Sequence, residues 1–574
     1  MASIRPLDPR LESLLATADF DPHSRYSMPL REYMLLTIER ARIIYREGLI
    51  SNSMWLAEPG EAGFSELHRA VGWINTYDLS LGTSILDHQI AGNALLTHGS
   101  AEQVSRYRAE IDTFSTVYAF AATEVGQGSD VKNIGTRARY DADSQQFILT
   151  TPDPGAAKCW IGNTMHTATV AMVLSRLEVD GRDEGHHWFR VPLRSAECEP
   201  PFSGIRISPA HPKGGVVGNQ TGVISFAECR VDRSALMAGW AGVDDQGRYV
   251  ATLPFERRFI RCLSTFLQER VFTVTASAYA QLLGSSITLS YGRHRIVFGE
   301  PLIGHTIYRR RLLPLIARGL AGVHATEYLW AEFERLYSVE PVDESRRRLS
   351  GLVAGFKAGA SWDAKHGLQV MRELTGSHGY HHHNQIVSLA QDFDITTTFT
   401  GDNIVLCNES LRATVREQIT WPQPIAPAHP PSTVAESLDW LSYLRDSVLA
   451  NWNRDGDAGW ARRYALADYA YRAVNYWKDR LEGRTDEVLC ELYALDTLVD
   501  SVDLLTVFGS ADSRAVLSMI ERHRELCDTA GSDLDTVLEL LGTPKILITA
   551  PIAFADYAER IVNGAEMLEN VIIR

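Results

Sequence analysis

Apolar residues recur at every second position between about Ser115 and Asp245, and at helical spacing on both sides of that stretch. The switch of period constrains the layer plan, because a strand alternates its faces whereas a helix returns to one face every three or four residues. From Pro29 to about Phe114, residues such as Met34, Leu35, Ile38 and Ala41 keep the helical spacing, with Gly and Ser as punctuation. In the middle, Gln146–Thr151, Thr167–Ser175, Trp188–Val191 and Gly222–Phe226 read as short strands parted by Gly, Pro and Asp turns. Helices return from about Phe255 to Gln418, with long candidates at Leu263–Arg293, Thr306–Tyr337 and Ser345–Thr375 that suit a bundle. After the Pro-rich linker Trp421–Pro431 a further helical segment runs on. The spacing therefore predicts a mainly α fold with a central β domain. It divides into an N-terminal helical domain (1–114), a β-barrel-like domain (115–245), a helical bundle (246–420), and a linker with a C-terminal helical domain (421–574).

A length of 574 residues exceeds what one hydrophobic core supports, and 45% hydrophobic with 22% charged residues is an ordinary globular balance. The net charge of -15 argues against a nucleic-acid surface, which needs clustered Lys and Arg. Arg309-Arg310-Arg311 is too short to reverse that and reads as a solvated helix face, with a contact to an anionic cofactor tail as the alternative. Seven Cys without a C-x-x-C pair suit a reducing compartment and no disulfide scaffold. No secretory h-region, membrane span or Ser-Lys-Leu-type terminus is evident, so a cytoplasmic protein is expected. His381-His382-His383 cannot all face one point and lacks an acidic or Cys partner at a familiar spacing, so no metal is expected.

The chemistry-bearing motifs begin with T-E-V-G-Q-G-S-D (Thr123–Asp130), where Gly126 and Gly128 let the main chain approach a flat ligand and Thr123 and Ser129 offer hydroxyls. K-C-W-I-G-N (Lys158–Asn163), F-A-E-C-R-V-D (Phe226–Asp232), R-H-R-I-V-F-G-E (Arg293–Glu300) and G-S-H-G-Y followed by Q-D-F-D-I-T-T-T-F-T-G-D-N (Gly376–Asn403) come after it. In order and spacing this series resembles the acyl-CoA dehydrogenase and acyl-CoA oxidase superfamily of flavoproteins, up to about residue 420. The segment after the linker resembles the extra C-terminal helical bundle of the oxidases.

The resemblance implies an acyl-CoA dehydrogenase-like fold and FAD, with the flavin ring against the Thr123 loop and Trp160. In the family's dehydrogenases a hydroxyl residue stands two positions after this Trp, beside flavin N5; here it is Gly162, as in the oxidases, which leaves room for dioxygen. Arg295 and Phe298 match residues that contact the FAD of a neighbouring subunit. Glu373, Gly376 and Ser377 match another subunit's cofactor loop, with Ser377 in place of a usual glycine and Glu373 in place of a neutral residue. Asp402 and Asn403 match the oxidases' cofactor-side G-D-N turn; as plain sequence they also read as a helix N-cap pair. These contacts imply a homodimer or higher homo-oligomer.

The family's usual catalytic base is the glutamate of an aromatic-Glu-Gly sequence, and this chain has Phe399-Thr400-Gly401. A threonine hydroxyl is too weak a base to remove the proton α to a thioester, although its backbone N–H could still polarise the carbonyl. A few members carry the glutamate on an earlier helix, directly before an Arg; Glu269-Arg270 matches that position and the spacing to Phe298. The expected reaction is α,β-desaturation of an acyl thioester, on coenzyme A or a carrier protein, with Glu269 as base and dioxygen as electron acceptor. Asp402 is a second candidate base. The alternatives are a flavin oxidase or monooxygenase of a non-standard substrate, and a non-catalytic FAD-binding partner of an active homologue.

Overall fold

The computed structural model describes residues 6–56, 63–337, 342–417, 421 and 423–572; the extreme termini used in the targeting argument and Pro422 of the linker lie outside them. The protein is mainly helical with a central curled sheet. Two compact units share the chain, one comprising Pro9–Ala70 with Asp78–Glu269, the other Val71–Tyr77 with Arg270–Arg574.

The first unit joins the N-terminal helices to two main sheets built from β1 (Tyr118–Ala121), β2 (Arg137–Asp141), β3 (Gln146–Thr150), β4 (Lys158–Ile161), β5 (Val170–Val179), β6 (Arg182–Pro192), β7 (Ile205–Pro209), β8 (Gly222–Phe226) and β9 (Cys229–Asp232), with a short ribbon of Ala241–Val243 and Tyr249–Ala251 beyond them. β5 is the hub, parallel to β1 and β2 and antiparallel to β6 along its length. β3 joins β2 to β9, and β4, β8 and β7 form a separate antiparallel sheet. β5 starts later than the alternation suggests because the Gln220 side chain takes the N–H groups of His166 and Thr167 before the ladder begins. It continues past Ser175 because Asp180 and Gly181, both left-handed at φ 50° and 72°, make the tight turn into β6. Beside this sheet runs the helix Leu79–His98, whose start is capped by Asp78 accepting from the Ser80 N–H. Its apolar side packs with Tyr118, Met172, Leu174 and Trp188 in one core.

In the second unit the helix Phe266–His294 is buried at every residue from Val271 to Leu289. Small residues permit that enclosure: a Cβ on Gly284 would lie 2.8 Å from both Leu368 and Met371. Thr306–Tyr337 and Val342–Leu374 pack around it, and Asn403–Glu417 completes this part of the bundle. The C-terminal helices Val434–Asp455, Trp460–Lys478, Arg484–Val499 and Ser513–Ala530 belong to the same unit. Gly359 seats the Tyr469 ring, 2.6 Å from where its Cβ would be. Arg318 binds Asp363, Asp496 and Asp500 at once. The arginine run is not a bare solvated face. Arg309 and Arg310 both grip Asp528, and Arg311 pairs with Glu373.

Candidate active site

In the first unit, the loop Thr123–Asp130 is clamped by an ion pair that the sequence motifs contain without revealing its role. The Glu124 carboxylate accepts from Lys158 Nζ at 3.0 Å, from the Thr136 N–H at 2.9 Å and from the Gly135 N–H at 2.6 Å. Lys158 also donates to the Ala122 carbonyl at 2.9 Å, and both charged side chains are shut from solvent. Burial pushes the Lys158 ammonium down to about 8, against the pull of Glu124. Thr123 adds a second clip, its hydroxyl donating to the Cys159 carbonyl at 2.9 Å. The side chains of Thr123 and Glu124 thus fasten the loop to β4, while Gly128 and Ser129 stay exposed.

β4 is irregular between Lys158 and Ile161, and the irregularity turns Trp160 outward with φ at +62°. Its indole is 56% exposed, so it is no core tryptophan. A Cβ on Gly128 would meet its ring at 3.5 Å, an ordinary contact, so the loop turn lies against the indole. Two residues on, Gly162 is required by its neighbour: a Cβ there would fall 1.8 Å from Asp87 Oδ2. The room left by the missing side chain holds a carboxyl group, not a void for dioxygen. Glu269 stands on the first turn of Phe266–His294, half-buried, beside the buried Gln268, whose side chain accepts from Asn93 at 2.6 Å.

In the second unit, Thr400 lies at the hub of a bonded turn. It is almost buried and left-handed, with φ at +57°, a rare state for a β-branched residue. Its carbonyl accepts from Arg270 Nε at 3.2 Å, and its hydroxyl lies 3.3 Å from that of Thr273. Arg270 Nη1 in turn holds both oxygens of Glu409, at 3.1 and 3.0 Å. The fully buried Lys357, which the motifs did not single out, donates to the Gly401 carbonyl at 2.7 Å and to Asn403 Oδ1 at 2.9 Å. Asn403 spends its amide on Ser361 Oγ at 2.9 Å, inside the bundle. Asp402 Oδ1 accepts from the Ile404 N–H at 2.9 Å, so it caps the helix Asn403–Glu417.

On the same unit, Phe298 occupies the tip of the ribbon Ile296–Val297 and Glu300–Pro301, 97% exposed at φ +53° and followed by Gly299 at +91°. Arg295 donates to the Tyr557 hydroxyl at 3.0 Å, and the rings of Tyr291, His378 and Tyr557 surround that contact. Gly376 is left-handed at φ +59° with open space where a Cβ would be. Glu373 is held by Arg311, which draws its carboxyl below the usual range. His382 bonds to Ser388, and among the described residues no group of three or more His, Cys, Asp or Glu is placed to hold a metal.

Comparison with known proteins gives these motifs a common source. The acyl-CoA dehydrogenase middle-domain profile matches residues 119–229, and the acyl-CoA oxidase C-alpha1 domain profile matches 263–415. Both matched stretches are domains of the acyl-CoA oxidase and acyl-CoA dehydrogenase superfamily. Within it the similarity runs to the oxidases. Peroxisomal acyl-coenzyme A oxidase 3 of Arabidopsis thaliana is 28% identical over 407 residues, 69% of this chain and 59% of that protein. An acyl-coenzyme A oxidase-like protein of Mus musculus is 32% identical over 55% of this chain and 51% of its own. The chain thus spans little more than half the length of the curated relatives it matches. Acyl-CoA oxidase 1 of Yarrowia lipolytica superposes with a TM-score of 0.84 at 20% identity, over 97% of this chain and 89% of that one. Acyl-CoA oxidase-2 of Caenorhabditis elegans, solved with FAD, ascaroside-CoA and ATP, superposes at 0.81 with 16% identity, over 97% and 89%. These superpositions give the acyl-CoA oxidase fold.

Proposed function

We propose that this chain is an FAD-dependent oxidase or dehydrogenase that desaturates an acyl thioester between its α and β carbons, with coenzyme A or a carrier protein as the thiol. The observation that carries the reading is the exposed, left-handed Trp160 under the clamped Thr123–Asp130 loop: a large apolar plane left uncovered is a binding surface for another plane. Residues 123–129 and Trp160 fit the flavin ring, since the indole is uncovered and Ser129 stands exposed beside it on the loop. Bound FAD would supply the hydride acceptor, with dioxygen as the terminal oxidant.

The protein's own part is to hold the thioester and move one proton. Glu269 is assigned as the base. Its place beside Arg270, with the usual glutamate replaced by Thr400, supports that assignment, and its partial burial keeps it from being a plain surface helix residue. Thr400 contributes its main chain: Arg270 and Lys357 fix the turn on either side of it, an arrangement suited to presenting an N–H to the substrate carbonyl. Arg295, Phe298, Glu373 and Gly376 are assigned to the cofactor of a second copy, and Asp402 to the cofactor-side turn. The exposure of Phe298 supports a homo-oligomer. Asn403 acts from behind by holding the turn. Seven unbridged cysteines support a reducing compartment, and the cytoplasm is the proposed location.

The test is an anaerobic panel of acyl-CoAs and acyl-carrier proteins mixed with the yellow holoprotein. Bleaching by one of them, with hydrogen peroxide on admission of air, is the expected result. Bound FAD that no thioester bleaches would favour a silent partner of an active homologue, the reading that the missing glutamate at Thr400 keeps open.

A further inference from the structure

Asp87 is a titratable group that the proposed chemistry leaves unused. It sits on the helix Leu79–His98, whose residues are buried from Leu79 to Leu95 except Thr83 and Asp87. These two are one turn apart and so share a face. Each keeps some exposed surface, and Asp87 is otherwise closely surrounded by protein atoms. The Thr83 hydroxyl oxygen is closed to solvent and meets no hydrogen-bonding partner among the described residues. Asp87 is steadied through one oxygen: Oδ2 accepts from Asn219 Nδ2 at 2.8 Å and fills the volume beside Gly162. No bond from the described residues engages Oδ1.

The surroundings keep this carboxyl near neutrality. Burial raises it to about 7, against the Asn219 hydrogen bond and the charge of Lys213. Lys213 acts from a distance through the same loop, its Nζ donating to the Asn219 carbonyl at 2.6 Å and to Thr221 Oγ1 at 2.9 Å. His88, the next residue on the helix, bonds the Ile111 carbonyl and accepts from the Tyr118 N–H, and burial pushes it down to about 4, so it is neutral throughout the range that matters.

We propose that Asp87 is a proton-holding group of the flavin site, a carboxylic acid that offers a hydrogen bond from the volume it fills beside Gly162 to an acceptor nitrogen of the bound ring. This rests on the reading that the flavin lies against Trp160, two residues from Gly162. The side chain that Gly162, just after β4, does not carry is thereby supplied from another element. Protonated, Asp87 donates; ionised, it can only accept, so the environment of the ring changes as this one group titrates.

The FAD-bound protein is titrated across pH 7 while the visible flavin bands and the infrared carboxylic-acid band are recorded. In the wild type both change with one midpoint near 7. Asp87→Asn loses the infrared band and the pH-dependence of the visible bands while keeping FAD. Asn219→Ala, which removes a hydrogen bond favouring the ionised form, moves the midpoint upward. A visible titration unchanged in Asp87→Asn, or none in the wild type, overturns the proposal. The infrared titration can be run without cofactor, so a chain that binds no FAD refutes the functional reading separately from the ionisation of Asp87.

Discussion

Glu124→Gln removes the charge that keeps Lys158 protonated, and the consequence can be worked through. Burial drives the ammonium down and Glu124 opposes it, by its charge and by its hydrogen bond, yet the group still stands at about 8 against the ordinary 10.5. At ~1.4 kcal/mol per unit that gap is a burden of about 3 kcal/mol carried by the charged form. Without Glu124 the value falls further, so the folded variant holds Lys158 neutral at pH 7 while its unfolded chain still binds the proton. An unfolded state with the extra proton makes stability rise with pH by ~1.4 kcal/mol per unit. In the wild type that rise is confined to the window from about 8 to about 10.5, because below it both states carry the proton. The variant should therefore be destabilised by ~3 kcal/mol near neutrality, as when one partner of a buried pair is lost. The deficit should narrow as pH climbs to 8 and hold steady above. Heat- and urea-induced unfolding, followed at several pH values with FAD release as a second signal, measures it. A deficit that is constant from about pH 6 to about pH 8, or below ~1 kcal/mol, would refute the account of the loop as clamped by a buried charge pair.

Three further outcomes are expected. Glu269→Gln should keep bound FAD and lose anaerobic bleaching by the substrate acyl-CoA; reduction at the wild-type rate would remove Glu269 from the base role. Lys357→Met strands the acceptors at Gly401 and Asn403, at roughly 1–3 kcal/mol for a buried unsatisfied group; a thermal midpoint equal to wild type would show that other donors replace it. Phe298→Ala should leave the thermal midpoint of the isolated chain unchanged, since the ring is 97% exposed. It should lower FAD retention in the self-associated protein, measured by light scattering with flavin absorbance; unaltered retention would sever Phe298 from the cofactor.

The layer plan was legible because periodicity reports which face is buried, and burial is what the layers share. Thr306–Tyr337 is found at its expected bounds, and Gly222–Phe226 likewise. β6 was only half visible: its Arg182–His187 half carries polar residues that pair with β5 at the far end of the hairpin, where alternation no longer marks the core. The site was legible as a set of motifs and illegible as a set of bonds. Glu124 and Lys158 stand inside two quoted motifs, but their pairing crosses 34 residues, and spacing cannot encode it. Asp87 had no signal at all. A single acid in an apolar helix reads as an exposed residue until the fold brings Gly162 against it.

Backbone strain adds what the motifs could not. Trp160, Phe298 and Thr400 are bulky residues held at φ +62°, +53° and +57°, a state that costs of order 1–3 kcal/mol each and lasts only where something repays it. Phe114, at φ +56°, shows the ordinary repayment: its ring is fully buried. Thr400 is nearly buried and is bonded by Arg270 and Thr273, so its turn is also repaid from within the chain. Trp160 and Phe298 are different, since each points an exposed ring outward and recovers little from its own packing. A bound surface that covers the ring would offset such strain. For Trp160 the proposed surface is the flat cofactor face at the clamped loop. For Phe298, at the tip of a ribbon, the proposed surface belongs to another copy of the chain.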